Sequence, residues 1–316
     1  MPVEAKVAER YGHVAGGVDT TALLDELLDA GLLVPTGIQG LYGHSAVYQG
    51  VADGVSVLVS RWAAQLRALT VRFPPLLSRR TFRETNYLES FPDLMGSVHV
   101  FGGGTREHEE LLRRVEAGGD WPALLEPADV VLASAACHAV YPLCRGVVPP
   151  SGRYFDVMSH CFRHEPSPEP TRLQSFVMHE VVYVGEREGA ESHRDLGLER
   201  GLAMLESLGL DMSAVPASDP FFGRVGKVLS ASQLEEELKI EGVTPVRGNA
   251  GPTAIMSANC HRDHFAHPFG IETASGEPAH SSCVAFGIDR VVVALLARHG
   301  MDPSRWAPSV RSLLRL

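Results

Sequence analysis

Two charged segments of the chain have the residue types needed to hold a polyphosphate. The first contains Arg163 and Glu165, then a polar loop with prolines, then Arg172 and Phe176. An arginine can bind a phosphate or a carboxylate through two parallel N–H groups, and an aromatic ring can stack on a base. Apolar residues on both sides of the loop predict a hairpin with a long polar tip, which suits a nucleotide. A surface hairpin with solvated charges is the alternative.

The second segment, Gly287-Ile-Asp-Arg290, precedes an apolar run with helical spacing. Arg290 falls in the first turn of that helix, where a cation opposes the helix dipole. Such a position suits an arginine that meets an anion bound beside the helix N-terminus. A tetrapeptide of this kind also arises by chance, so the prediction depends on the two segments together.

Cys137, Glu180 and Cys283 are far apart in sequence but form a suitable ligand set for Zn²⁺. Two thiolates and a carboxylate leave one tetrahedral position open. Spacing alone leaves the assignment open, because each residue also suits a buried structural position. Three histidines are competing ligands: His138, His179 and His280. The five cysteines, an odd number without a CxxC pair, speak against a disulfide framework and a zinc-finger module.

The spacing of apolar residues predicts helices at 19–33, 51–69, 191–210 and 288–299, and strands at 154–162, 175–184, 239–246, 254–258 and 283–286. Successive strands without regular intervening helices predict an antiparallel sheet flanked by helices, an α+β fold. We expect one domain over residues 1–316. It would carry an N-terminal α/β extension at 1–50 and a small helical insertion at about 187–228.

The chain has 28 basic and 38 acidic side chains and a formal net charge of −10. A protein that follows a nucleic-acid backbone usually presents a basic surface, so this balance argues against tRNA as the main partner. No apolar run approaches the ~20 residues that cross a bilayer. The first residues also lack the apolar core of a secretory signal. We therefore expect a cytoplasmic protein.

In this order, the two charged segments resemble motif 2 and motif 3 of the class II aminoacyl-tRNA synthetases. The helix predicted at 51–69, followed by Arg72-Phe-Pro-Pro, is similar to motif 1 of that family. Motif 1 lies at a homodimer interface, so the resemblance implies a homodimer. Between the other two motifs, Glu272 and Ser275 resemble the ExxS magnesium element of the seryl enzymes.

The resemblance implies a role for each matching residue. Arg163 would bind the α-phosphate and the amino-acid carboxylate, and Glu165 would accept a hydrogen bond from the adenine amino group. Phe176 and Arg290 would enclose the adenine ring, and Arg172 and Arg290 would contact the γ-phosphate of ATP. Arg163 and Arg290 would be the catalytic residues, because in-line attack on phosphorus needs mostly positioning and charge stabilisation.

Two metal sites are implied in the same way. Glu272 and Ser275 would bind Mg²⁺. The set of Cys137, Glu180 and Cys283 is similar to the zinc site of the archaeal-type seryl-tRNA synthetases, whose open position takes the amino group of the substrate. Glu180 would thereby also bind the substrate.

A narrower resemblance is to the amino acid:[carrier protein] ligases, bacterial homologues of the archaeal-type seryl catalytic core. It rests on residues 87–92, 162–167, 217–223 and 280–287. It implies that a small amino acid, glycine or alanine, is activated with ATP and transferred to the phosphopantetheine thiol of a holo acyl carrier protein. His179 departs from the pattern, since relatives carry a basic residue of another type there. Residues 1–50 match no motif.

Two alternatives stay open: a truncated seryl-tRNA synthetase-like enzyme that charges tRNA, and a non-catalytic synthetase paralogue. No heptad pattern of the kind that forms a tRNA-gripping arm is sustained, and every motif residue is present, which favours the ligase. Four arginines near the helix predicted at 191–210 are either a docking patch for an acidic carrier protein or solvated charges: Arg187, Arg194, Arg200 and Arg224. The sequence leaves the amino acid, the carrier protein and its pathway open.

Overall fold

The computed structural model describes residues 21–219, 222, 230, 233–234, 236–247, 249 and 251–316. The strands are β1 (Leu33–Pro35), β2 (Tyr42–His44), β3 (Leu69–Arg72), β4 (Leu76–Ser78), β5 (Ser97–Val100), β6 (Glu126–Leu132), β7 (Gly146–Val147), β8 (Arg153–Phe162), β9 (Ser175–Gly185), β10 (Ser213–Pro216), β11 (Lys239–Thr244), β12 (Thr253–Arg262), β13 (Ile271–Glu272) and β14 (His280–Gly287).

The helices in these ranges are α1 (Ala22–Asp29), α2 (Ala46–Gln65), α3 (Arg79–Glu84), α4 (Tyr87–Ser90), α5 (Thr105–Glu116), α6 (Arg187–Ser207), α7 (Ala266–Phe269), α8 (Ile288–His299) and α9 (Pro308–Leu314). Short 3₁₀ turns occur at Pro122–Leu124, Cys137–Ala139, Tyr141–Cys144 and Pro303–Arg305. None of the helices in the described ranges combines the length and the apolarity needed to span a bilayer.

A seven-stranded sheet forms the centre of the molecule, in the order β10-β11-β12-β14-β9-β8-β3. Neighbouring strands are antiparallel except β3, which pairs in parallel with β8 at one edge. Smaller sheets are formed by β1 with β2, by β13 with β7, and by β4, β6 and β5. An antiparallel sheet with flanking helices confirms the predicted α+β fold.

The two faces of the central sheet bury different cores, because successive strand residues point to opposite faces. On β9, Val181 faces the larger core, which α2, α6 and α8 help to build. The next residue, Val182, faces a second core that also contains Cys137 and Cys283. These three helices therefore pack against one face and leave the predicted metal ligands on the other.

The N-terminal region contributes to the larger core. Helix α1 is shorter than the helix predicted at 19–33, and it buries Leu23 and Leu27 there. The β1–β2 hairpin follows directly, so the described part of the predicted extension contains a helix and a hairpin. Residues 1–20 lie outside the described part of the chain.

The segment predicted as a helical insertion, about 187–228, contains α6 and β10 among its described residues. Helix α6 runs along β14 and β12, and a Cβ on Gly197 would collide with the side chain of Val284. Strand β10 then pairs at the edge of the central sheet. Helix α6 and strand β10 therefore belong to the central sheet and its helix layer, and the insertion stays a prediction. Residues 220, 221 and 223–228 lie outside the described part of the chain.

Helix α2 contains a glycine that allows close contact with α9. A Cβ on Gly54 would lie 2.5 Å from the carbonyl oxygen and 3.0 Å from the Cα of Leu314, which are backbone atoms. We expect Gly54→Ala to lower the free energy of unfolding by about 1–3 kcal/mol, since overpacking forces the backbone to move. Chemical denaturation measures the change.

The matched control is Gly50→Ala in the same helix. A Cβ at Gly50 would meet only a methyl carbon of Leu316, at 3.8 Å. Alanine is favoured over glycine in a helix by about 0.8–1 kcal/mol, so this variant should be as stable as the wild-type chain or more so. Equal effects of the two substitutions would contradict the packing argument.

Candidate active site

One cavity of about 530 Å³ on the second-core face of the sheet brings the predicted segments together. Its wall includes Arg163, Glu165 and Phe176 from the β8–β9 hairpin and Arg290 from the start of α8. The predicted zinc ligands line the same space: Cys137, Glu180 and Cys283. Groups suited to a phosphate and groups suited to a metal therefore face one cavity.

The ligand atoms of Cys137, Glu180 and Cys283 all lie within 4.8 Å of one another, and all three residues are buried. Glu180 on β9 and Cys283 on β14 come from neighbouring antiparallel strands, in which Cys283 stands opposite Val182. Cys137 begins the 3₁₀ turn that lies over them. Sulfur and oxygen atoms at these separations can all reach one tetrahedral Zn²⁺ ion, whose bonds to its ligands are about 2.0–2.3 Å long.

The electrostatics of this cluster also fit a bound cation. Burial and the nearby Cys283 thiolate raise the pKa of Glu180 to about 7. Its Oε1 accepts hydrogen bonds from the backbone N–H of Ala136 at 2.8 Å and of Cys137 at 3.3 Å. A hydrogen bond from the Cys137 thiol holds the pKa of Cys283 well below its usual range, and the same bond raises that of Cys137. A divalent cation would relieve the repulsion among these acidic groups.

Glu180 gives a pH prediction for the metal-free protein. A carboxyl whose pKa rises from 4.5 to about 7 on folding stabilises the fold fully below pH 4.5. That contribution is lost as the pH rises through 7, because the buried group must ionise. At about 1.36 kcal/mol per pKa unit, the loss is at most about 3 kcal/mol.

The measurement is the difference in unfolding free energy between the metal-free wild-type chain and Glu180→Gln at pH 5 and at pH 8. The wild-type chain should lose stability relative to the variant at the higher pH. Taking the difference cancels the titration of the histidines. A constant difference would contradict a raised pKa at Glu180.

The three histidines named as competing ligands lie outside the metal cluster found in the described residues. His138 is buried beside Cys137, and burial lowers the pKa of His138 to about 3, so the ring is neutral. His179 points to the opposite face of β9, where its Nε2 donates to Asp156 at 2.6 Å. His280 begins β14, ahead of Cys283.

Two further polar side chains at the cluster were not predicted. Asn259 and His261 lie on β12, line the cavity and approach the Sγ of Cys283. Together with Ser257 they place a polar residue at every second position of the strand, on the cavity face. That alternation was the available signal, but the predicted strand ended at 258.

Arg163 and Phe176 form the other part of the cavity wall. Arg163 follows the last residue of β8, and Phe176 lies on β9, where it stands opposite Cys161. The guanidinium carbon of Arg163 is 5.5 Å from the centre of the Phe176 ring, and its Nε donates to the backbone carbonyl of Ser134 at 3.2 Å. These contacts fix the arginine while leaving its two Nη groups for a ligand.

Arg290 crosses between two segments of the cavity wall. Its Nε donates to the carbonyl oxygen of Thr171 at 2.8 Å, and its Nη1 donates to that of Ala254 at 3.0 Å. Burial and the positive charges of Arg163 and Arg172 lower the pKa of Arg290. Positive charges held this close favour an anionic ligand. Arg172 itself is exposed, pairs with Glu169 at 3.2 Å and does not line the cavity.

Asp289, the residue before Arg290, ties three segments together. Its Oδ2 accepts from the backbone N–H of Val177 at 2.6 Å, and its Oδ1 accepts from the hydroxyl of Tyr48 at 3.1 Å. His44 Nε2 lies 3.4 Å from the same oxygen. Phe176 precedes Val177 in the chain and Arg290 follows Asp289. The hydrogen bond between Val177 and Asp289 therefore sets the position of Phe176 relative to Arg290.

We expect Asp289→Asn to raise the KM for ATP and to lower the free energy of unfolding by about 1–3 kcal/mol, because a buried N–H or hydroxyl loses its acceptor. Tyr48→Phe removes only one of the two bonds and is the graded control, with a smaller effect on both quantities. Steady-state kinetics and denaturation measure the series. A larger effect from Tyr48→Phe than from Asp289→Asn would contradict the positioning role given to Asp289.

Glu272 and Ser275, the residues predicted to bind Mg²⁺, are not among the described residues that line the cavity. Glu272 is exposed on the short strand β13, where it pairs with Val147. Ser275 lies in the following turn, where its hydroxyl is 2.8 Å from that of Thr273. Glu272 thus lies on a strand and Ser275 in the turn that follows it, and Mg²⁺ binding by this pair stays a prediction.

The segment similar to motif 1 supports the site from the opposite face of the sheet. Asp156 on β8 accepts hydrogen bonds from His179, from Ser60 of α2 at 2.9 Å and from Arg72 of β3 at 3.2 Å. Burial opposes ionisation, but these donors together lower the pKa of Asp156. His179, the residue before Glu180, is therefore connected through Asp156 to the edge strand β3.

The arginines considered as a docking patch are in different environments. Arg187 and Arg200 are exposed on α6. Arg194 is largely buried and donates to Asp195 at 2.6 Å and to the carbonyl of Glu237 at 2.8 Å. Arg224 lies outside the described residues. Arg194 is thus occupied by contacts within the chain, and the predicted patch loses one member.

The fold is that of the class II aminoacyl-tRNA synthetases. It superposes on the M. kandleri seryl-tRNA synthetase bound to A. aeolicus tRNASec with a TM-score of 0.79 at 23% identity, covering 92% of this chain and 60% of that one. The chain thus spans less than two thirds of that synthetase. The P. horikoshii seryl-tRNA synthetase complexed with ATP gives a TM-score of 0.70 at 13% identity, covering 93% and 62% of the two chains.

The sequence is also 44% identical to amino acid–[acyl-carrier-protein] ligase 1 of Bradyrhizobium diazoefficiens over 296 residues, which are 93% of this chain and 90% of that protein. This chain belongs to the family of amino acid–[acyl-carrier-protein] ligases. The narrower of the two sequence resemblances is thereby confirmed. No family model matches the sequence.

Proposed function

We propose that this chain uses ATP to activate a small amino acid as an aminoacyl adenylate and transfers it to the phosphopantetheine thiol of a carrier protein. The shared cavity carries the proposal, since phosphate-binding arginines and an aromatic ring face the same space as a Cys₂Glu ligand set. The name of the 44% identical ligase supports a carrier protein as the acceptor.

In the first step, a carboxylate oxygen of the amino acid attacks the α-phosphorus of ATP, and pyrophosphate leaves. Arg163 and Arg290 stabilise the charge that builds on the phosphate oxygens. The adenine ring would stack on the face of Phe176, and Glu165 lines the same cavity. In the second step, the thiolate of the acceptor attacks the carbonyl carbon, the thioester forms and AMP leaves.

Cys137, Glu180 and Cys283 would hold Zn²⁺, which supplies an open coordination position for the amino group of the substrate. Aromatic rings crowd the space next to this cluster. Tyr141 stacks on Phe265 with ring centres 3.9 Å apart, and His261 packs edge-on against Phe265 at 5.1 Å. This crowding favours a substrate with a small side chain, such as glycine or alanine.

Mg²⁺ that enters with ATP would find oxygen ligands on the neighbouring strands β11 and β12. Glu241 stands directly opposite Ser257 in the sheet, and both line the cavity. A carboxylate and a hydroxyl suit Mg²⁺, which prefers oxygen and usually keeps several waters. This pair replaces Glu272 and Ser275 in the proposal.

A homodimer formed through α2 and β3 is also part of the proposal. Strand β3 ends the central sheet, and the side chain of Leu69 on it is 59% exposed. An edge strand has backbone groups free to pair or to be covered by another chain. Light scattering after gel filtration tests the assembly, and a monomer at micromolar concentration would contradict it.

The central experiment is amino-acid-dependent exchange of pyrophosphate into ATP with a panel of amino acids, followed by loading of a holo carrier protein and of tRNA. We expect exchange with a small amino acid and loading of the carrier protein alone. Charging of tRNA would support the truncated synthetase instead. Failure to bind ATP would support a non-catalytic paralogue.

A further inference from the structure

We propose that Asn259 and His261 are positioning residues for Cys283, each donating an N–H hydrogen bond to its Sγ. The inference rests on the proposed metal site and names the side chains that orient one of its thiolates. It assigns a role to the polar residues on β12 that neither the sequence motifs nor the proposed reaction uses.

Asn259 is held in place by the pairing of the sheet. It stands directly opposite Cys283 in the β12–β14 ladder. Its Nδ2 lies 3.5 Å from the Sγ of Cys283 and 3.1 Å from the hydroxyl oxygen of Ser257, and it donates to both. Both hydrogens of the amide are therefore used, which fixes the orientation of the side chain.

His261 lies two residues after Asn259 on the same strand and approaches the same sulfur. Its Nε2 lies 3.7 Å from the Sγ of Cys283, and its Nδ1 lies 3.3 Å from the hydroxyls of both Tyr141 and Ser281. A metal-bound thiolate has no proton and only accepts hydrogen bonds. The proton must then be on Nε2, and Nδ1 accepts from a hydroxyl.

A bulge in β12 aims this ring. The register passes from Cys260 opposite Ser282 to Arg262 opposite Ser281, so His261 is the additional residue. The next residue, Arg262, has a φ of 53°, a left-handed conformation uncommon for residues other than glycine. Bulges redirect side chains and occur beside functional sites, and here the redirected ring meets the sulfur.

The expected consequence is a contribution to metal affinity. Two N–H donors compensate part of the thiolate charge in a buried site and fix the direction of its lone pairs. Removing a partner that orients a metal ligand typically weakens metal binding by about 10–100-fold. We expect losses in this range for Asn259→Asp, which keeps the shape but replaces the donor with a carboxylate, and for His261→Phe.

The test uses the full chain stripped of metal and titrated with Zn²⁺ against a chromophoric chelator, and with Co²⁺ while thiolate-to-cobalt charge-transfer absorption is recorded. Asn259→Asp and His261→Phe should weaken Zn²⁺ binding and shift the charge-transfer band. His261→Gln places an N–H near the former Nε2 and should restore much of the affinity. His267→Gln, which replaces an exposed imidazole elsewhere, is the matched control.

The outcomes distinguish a failure of the proposed zinc site from a failure of the positioning role given to Asn259 and His261. A wild-type chain that binds neither metal overturns the zinc site and this inference together. A wild-type chain that binds both, with unchanged affinity and spectrum in Asn259→Asp and His261→Phe, overturns this inference alone. If His261→Phe loses its near-ultraviolet circular dichroism through misfolding, the isosteric Asn259→Asp decides.

Discussion

Cys283→Ser is expected to bind Zn²⁺ at least about 100-fold more weakly than the wild-type chain, because a hydroxyl is a poor substitute for a thiolate ligand. Amino-acid-dependent pyrophosphate exchange should fall in parallel, since the substrate amino group loses its anchor. The far-ultraviolet circular dichroism should stay the same, because the substitution replaces one atom within β14. Metal content by mass spectrometry and exchange kinetics measure the effect.

The matched control is Cys144→Ser, which replaces another fully buried cysteine outside the metal cluster. It reports the general cost of a hydroxyl in the core without touching a ligand. We expect it to retain zinc and the exchange reaction. Retained exchange in metal-free Cys283→Ser would exclude a role for the metal in binding the amino acid.

Arg290→Lys is expected to lower kcat/KM for ATP by about 10²–10³-fold, the loss typical of removing one preorganised donor to developing charge. Lysine keeps the charge but has no planar fork. It cannot satisfy the carbonyls of Thr171 and Ala254 together while facing a nucleotide. Zinc content should be unchanged, because the arginine does not belong to the ligand cluster.

Arg298→Lys on the same helix is the control, since Arg298 is more exposed and donates to the carbonyl of Gly209, away from the cavity lining. Its kinetics should match those of the wild-type chain. Near-normal ATP use by Arg290→Lys would show that Arg290 has a purely structural role. The match to motif 3 would then carry no functional meaning for this residue.

Patterns with a fixed period allowed most of the fold to be predicted. The apolar residues of β9 placed its start at Ser175, and the apolar spacing of α8 gave both of its ends. The helix predicted at 191–210 corresponds to α6, Arg187–Ser207. The spacing of its leucines predicts helix α6, but only the tertiary packing of Gly197 against Val284 shows what the helix covers.

The site was predictable where chemistry and spacing coincide, and not elsewhere. Arg163 and Arg290 are brought to one cavity as the motifs imply. Glu272 lies outside the cavity lining, and a four-residue motif carries no information on the strand that must present it. His261 was missed because the predicted strand ended at residue 258, whereas β12 continues to Arg262.

The bulge at His261 also has a consequence for how the chain assembles. A slip of β12 by one residue would turn Asn259 away from the cavity and expose its apolar neighbour Ala258 there instead. The added residue fixes the register, so the donors meet Cys283 only in the correctly paired sheet. Because metal binding is coupled to folding, the appearance of the cobalt–thiolate band during refolding should report the moment at which β12, β14 and β9 have paired in register.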